Sequence, residues 1–251
     1  MMARLARGWG LLRSLAIYYG LPGRAAKDRA FYRQFVQPGA LVFDIGAHVG
    51  NRLRVLRQLG AVCVAVEPQP LFADFLARFY GRDEQVVLVR EAIGSQVGEA
   101  TLHISRRTPT VTTISADWMD AVQRADSFAA VRWEETVKVP VTTLDALIAR
   151  HGTPDFCKID VEGSELAVLE GLSVPLPLLS FEYIPATLEM TLACIDRLQT
   201  LGDYRYNWSV GEEQRLASEV WLDGAEMSAR LGKMGVNDRS GDLYARREVG
   251  L

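Results

Sequence analysis

The chain has 251 residues, 49% of them hydrophobic and 24% charged, which is enough apolar material for a sizeable core and excludes a chain disordered over most of its length. Its formal net charge of −3 gives no electrostatic reason to bind a polyanion, so nucleic acid is not an expected partner. Cys63, Cys157 and Cys194 lie far apart, and neither a disulfide framework nor a metal cluster is implied.

The start, MMARLARGWGLLRSLAIYYG, is interrupted by Arg4, Arg7 and Arg13. It reads neither as a cleaved signal peptide nor as the run of ~20 apolar residues that a membrane span needs, and a cytoplasmic location is expected. Residues 1–35 are read as an N-terminal helical extension docked on its own domain; the alternative is a basic amphipathic segment lying on a membrane or a partner. Residues 36–251 read as one domain.

Within it, apolar runs alternate with helix-length amphipathic segments. ALVFDIG is followed by a helix from about Asn51 to Leu59, AVCVAVEP by a helix from about Pro70 to Tyr80, and VVLVREA is the third strand. EATLHIS and TVKVPV alternate as strands around residues 106–135, an insertion of part loop and part helix rich in threonine. The pattern resumes with a helix near Thr143 to Arg150, strand FCKIDV, helix Glu165 to Gly171, strand LLSFEY and a helix from about Thr187 to Leu201. YRYNWSV, a helix near Asp223 to Leu231 and DLYARR close the chain. The expected fold is α/β: a doubly wound, mostly parallel seven-stranded sheet, Rossmann-like, with an antiparallel C-terminal edge pair.

In such sheets the ligand lies outside the carboxyl ends of the strands. The residues expected there are acidic: Asp44, Glu67, Glu91, Asp160 and Glu182. Carboxylates gathered on one rim call for a cation or a set of hydroxyl donors. The first strand runs into Asp44-Ile45-Gly46-Ala47-His48-Val49-Gly50-Asn51, a glycine turn opening a helix. The dinucleotide pattern G-x-G-x-x-G is absent, and an acid at Asp44 would repel a pyrophosphate, which counts against a nicotinamide cofactor. S-adenosylmethionine fits better, because it offers an ammonium, a sulfonium and a ribose diol and no phosphate. Glu67, about 20 residues beyond the turn, is placed to accept from the ribose hydroxyls. Pro68 would stiffen the turn under the adenine, and Glu91 and Ala92 would meet its edge.

Taken together, VFDIGAHVGN, VAVEPQP, KIDVEGSE and SFEY resemble the FkbM-type family of class I methyltransferases over about Leu41 to Glu182. The resemblance implies methyl transfer from S-adenosylmethionine to an oxygen, typically a hydroxyl of a sugar, polyketide or other specialised metabolite. Asp44, Gly46, His48, Gly50, Asn51 and Glu67 match the family's cofactor motifs, and Asp160 and Glu162 its acidic motif beside the substrate. Ala47, within the same turn, is counted with the cofactor residues.

The general base is expected among Glu162, Asp160, Glu182 and His48, with Glu162 preferred and Asp160 holding the methionine portion or the substrate. Lys158 is expected to pair with an acid. No metal is expected, although Asp160, Glu162 and Glu182 are hard oxygen ligands that could hold a divalent ion. The insertion is expected to form a lid, with Trp118 or Trp133 either stacking on a sugar or serving as core. Competing readings are a non-catalytic binding protein of the same fold and an NAD-dependent dehydrogenase.

Overall fold

The computed structural model describes residues 11–16, 18–20 and 23–248, so residues 1–10 of the expected N-terminal extension lie outside the described residues. The strands, in chain order, are β1 (Leu41–Ile45), β2 (Val62–Val66), β3 (Val86–Val89), β4 (Ala92–Ile93), β5 (Gly98–Ile104), β6 (Glu135–Thr142), β7 (Phe156–Ile159), β8 (Leu178–Tyr183), β9 (Tyr204–Val210) and β10 (Gly241–Arg247). Seven of them form one sheet in the order β3-β2-β1-β7-β8-β10-β9. β3, β2, β1, β7 and β8 are mutually parallel. β10 is inserted between β8 and β9 and runs antiparallel to both. The antiparallel pair is therefore present, with the later strand of the two inside the sheet and β9 at its edge.

The chain winds outward from β1 to β3, then returns to β7 beside β1 and winds the other way. That reversal leaves a crevice at the carboxyl ends of β1 and β7, where a ligand can enter. Side chains alternate across the sheet, so Phe43 and Ile45 join one buried cluster while Val42 joins the other. Asp44 and Lys158 are register partners on β1 and β7 and follow Val42 and Phe156 onto the second face. Helices Leu144–His151, Glu165–Glu170 and Leu188–Leu201 cover the first face; Arg24–Tyr32, Asn51–Gln58 and Pro70–Tyr80 cover the second.

The expected third strand VVLVREA is divided. Val86–Val89 stays in the main sheet, while Ala92–Ile93 pairs in parallel with β6 in a separate three-stranded sheet, ordered β4-β6-β5. Between them Glu91 turns aside to Arg150, whose guanidinium approaches it at 3.2 Å. Residues 106–135 hold the helix Ala116–Val122 and two short 3-10 turns, with Val111, Trp118, Val122 and Val131 forming their own small core against Ile184. No described helix is long and apolar enough to cross a membrane.

Candidate active site

The site begins with a turn that only glycine can make. Gly46 has φ 85°, and a Cβ there would stand 1.9 Å from the carbonyl oxygen of Asp160. The amides of Gly46 and Ala47 both donate to the Val66 carbonyl at 2.9 Å, which ties the turn to the end of β2. The same turn carries the His48 amide to Glu67 Oε2 at 2.8 Å, and the Gln69 amide reaches Glu67 Oε1 at 2.8 Å. Burial pushes the Glu67 carboxyl up to about 7 against the pull of these two amides.

Asp44 lies beneath the turn, 1% exposed, with neither carboxylate oxygen hydrogen bonded. Burial pushes it up to about 6, although Arg52 and Lys158 act to lower it. A buried acid with both oxygens unmet is a site for a donor or a cation.

Asp160, just past β7, is clasped instead. Arg52 Nη2 lies 2.7 Å from its Oδ2 and Lys158 Nζ lies 3.5 Å away. Burial works to raise Asp160, but these two cations hold it below the ordinary carboxylate range. Lys158 is itself buried and donates to Asp242 of β10 at 2.8 Å, the acid pairing expected of it.

The loop after Asp160 is fastened by Glu165, whose carboxylate accepts from the amides of Val161 at 3.1 Å and Gly163 at 3.0 Å. This clamp holds Glu162 at φ 53° and Gly163 at φ 89°, while the Thr113 hydroxyl donates to the Glu162 carbonyl at 2.6 Å. Oxygens of Asp160, Glu162 and Glu182 lie within 4.8 Å of one another, a spacing that could hold a metal ion. Burial, then the charge of Glu182, raises Glu162 well above the ordinary range; burial, then Asp160, does the same to Glu182.

One cavity joins the glycine turn to this acidic loop. Gly46, His48, Asn51, Glu67, Pro68, Ala92, Asp160 and Glu162 all stand on its wall. Asp44, Ala47 and Gly50 lie behind the wall, and Glu182 faces an adjoining small void. Glu91 is a correction: paired with Arg150, it takes no part in the cavity, because the strand expected to end on it breaks before it. Thr110 and Thr112 of the threonine-rich insertion also stand on the wall, and Arg52 and Tyr18 do so without having been singled out from sequence. Arg52 did carry a signal, since a cation in the first turn of a helix opposes the helix dipole and calls for another reason to be there.

His48 lines the cavity. Burial lowers it to about 3, and its ring lies 4.1 Å from that of Phe72 with the edge of Tyr18 at 5.6 Å. Trp118 is 1% exposed, and its Cγ would be 2.0 Å from a Cβ on Gly163; it is core and does not reach the cavity. Trp133 donates from Nε1 to the Val111 carbonyl at 2.8 Å and likewise stays off the wall.

Residues 11–16 and 18–20 lie against the rim. Ser14 Oγ sits 3.3 Å from His48 Nε2, Tyr19 donates to the Val49 carbonyl at 3.0 Å, and Arg13 donates to the Arg107 carbonyl at 2.6 Å. The cavity is partly open, with a volume of about 90 Å³.

The model of the methyltransferase FkbM domain matches residues 44–191, from the acid beneath the turn through the acidic loop and into the helix after β8. Solved structures of similar fold include a TehB-like S-adenosylmethionine-dependent methyltransferase from Corynebacterium glutamicum (8% identity over 88% of this chain and 88% of that one, TM-score 0.46). An O-methyltransferase from Bacillus cereus in complex with S-adenosylhomocysteine gives 12% identity over 95% and 90%, TM-score 0.46. Precorrin-6y C5,15-methyltransferase from Geobacter metallireducens gives 13% over 89% and 88%, TM-score 0.44. No curated protein sequence matches significantly. On the extent of the domain match, which covers more than half of its residues, the chain belongs to the FkbM methyltransferase family.

Proposed function

We propose that this protein is an S-adenosylmethionine-dependent O-methyltransferase acting on a hydroxyl of a sugar, polyketide or other small specialised metabolite, with residues 36–251 as its catalytic domain and residues 106–135 closing over the acceptor. The observation that carries this reading is the single cavity that joins the glycine turn and Glu67 to the Asp160–Glu162 loop. The residues fit the cofactor: the unmet carboxylate of Asp44 behind the wall lends negative potential to a site for a cationic amino acid, and Glu67, fixed by two amides, keeps acceptor capacity for a ribose diol. Bound S-adenosylmethionine supplies an electrophilic methyl group.

The chain's own residues then have to orient a hydroxyl and take its proton. Glu162 is the base in this reading, because it stands on the cavity wall and burial beside Glu182 raises its affinity for a proton above that of an ordinary carboxylate. Glu182 beside it can share the proton. Asp160 is held ionised by Arg52 and Lys158 and serves to position. The reading needs no metal, since those two cations already balance the acid nearest the cofactor. A wall with three acids and one guanidinium also disfavours a nucleic acid acceptor.

Calorimetric titration of S-adenosylmethionine at pH 6 and pH 8 into the wild type and Glu67→Gln tests it. Glu67 must be ionised to accept from two hydroxyls, so the wild type binds more tightly as pH rises through about 7. Glu67→Gln is expected to bind about tenfold more weakly and to lose that part of the pH dependence. Absence of binding at both pH values overturns the reading; binding leads to a screen of hydroxylated acceptors.

A further inference from the structure

We propose that Arg52 is the residue that reads the α-carboxylate of the cofactor, and that the Arg52–Asp160 pair is a receptor for the zwitterionic end of an amino acid. The inference rests on the cofactor reading above and adds a specificity determinant to it.

Three acids stand on the cavity wall, Glu67, Asp160 and Glu162, and among the described residues they are faced by a single side chain that is cationic at neutral pH, Arg52. A ligand bearing an ammonium, a sulfonium and a carboxylate finds several acidic places for its two cations. Its carboxylate has one place to go. Elsewhere on this wall it would meet like charge across short distances in a partly desolvated site, where repulsion is poorly screened.

The geometry supplies the rest. Arg52 sits on the first turn of helix Asn51–Gln58, directly after the glycine turn, and its side chain is 20% exposed. Its Nη2 engages Asp160 Oδ2 at 2.7 Å, and Asp160 is its one ion-pair partner among the described residues. A guanidinium has five N–H donors in a rigid fork, so that contact leaves donors for a second carboxylate. Asp160 is left with Lys158 behind it at 3.5 Å, which lets it stay ionised while Arg52 is shared and lets it accept from an ammonium. A cation and an anion held 2.7 Å apart present to an amino acid the mirror of its own charges.

Three ligands separate this role from a structural one: S-adenosylmethionine, its decarboxylated form, which keeps the ammonium and sulfonium, and 5′-methylthioadenosine, which lacks the amino-acid end. Each is titrated into the full-length wild type, Arg52→Met and Arg52→Lys, with melting temperature as a fold control. The wild type is expected to prefer S-adenosylmethionine to its decarboxylated form by about tenfold or more. Arg52→Met brings the two to equal affinity and leaves 5′-methylthioadenosine unchanged, while Arg52→Lys keeps part of the preference. A wild type that does not discriminate the first two ligands overturns the inference and leaves the cofactor reading standing. So does an Arg52→Met variant that weakens all three alike, which would make Arg52 a brace for Asp160. A folded wild type that binds none of the three overturns the cofactor reading itself.

Discussion

Glu162 occupies a left-handed backbone conformation at φ 53°, a region that side chains other than glycine, asparagine and aspartate enter at a cost of about 1–3 kcal/mol. The Glu165 clamp and the Thr113 hydroxyl hold it there, which places its carboxyl on the cavity wall near Glu182. Glu162→Gln should lower kcat by about 10²- to 10⁴-fold while leaving the Kd for S-adenosylmethionine within about twofold, as read by single-turnover kinetics and calorimetry. Because burial and Glu182 raise the proton affinity of Glu162, its basic form is reached only above the ordinary carboxylate range, and the wild-type rate should climb with pH beyond that range. A pH-independent rate in the wild type would remove Glu162 as the base. The strand-end acids were legible in sequence because a parallel sheet puts its strand ends on one rim. Their division of labour was not. Asp160 differs from Glu162 through Arg52, a helix residue, and through Lys158, whose other partner Asp242 is 84 positions away.

The loop between β7 and helix Glu165–Glu170 works as a unit. Gly163 packs its bare Cα on Trp118, and any side chain there meets the indole; Gly163→Ala is therefore expected to destabilise by about 2 kcal/mol or more through overpacking at φ 89°. In a Trp118→Leu background the same change should cost less, since part of the clash is gone, and urea melts of the four proteins give the coupling directly. Equal costs in both backgrounds would mean that backbone strain alone sets the penalty. Most elements of the main sheet were readable because they are either short apolar runs buried on both faces, as in LLSFEY, or amphipathic helices, as in Pro70–Tyr80. The division of VVLVREA was not readable. It depends on β6, on the far side of the insertion, pairing with Ala92–Ile93, and on Arg150 drawing Glu91 away, and neither partner is near in sequence.

At the scale of the whole molecule, residues 11–16 and 18–20 bridge the glycine turn and the threonine-rich insertion beside a partly open cavity of about 90 Å³. Small-molecule pockets commonly hold ~300–1,000 Å³, so the site is expected to widen as a ligand enters, with this segment moving. Deletion of residues 1–20 should raise both the association and dissociation rate constants for S-adenosylmethionine in stopped-flow fluorescence; unchanged rates would place the gate in the insertion instead. The N-terminal segment was legible as a helix to be docked somewhere. Its seat over His48 was not, because the apolar pattern says which face is buried and not against what. The position of β10 has a further consequence. A chain emerging from the ribosome carries the glycine turn, the acidic loop and β9 before residue 242 appears, and until then β9 has no neighbour in the sheet and Lys158 lacks Asp242. A buried ammonium that lacks one of its two acid partners docks less favourably, so the charge balance beneath the rim is completed only when β10 joins the sheet. A polypeptide interrupted short of β10 therefore carries the glycine turn and the acidic loop, yet leaves Lys158 with Asp160 as its remaining acid partner among the described residues.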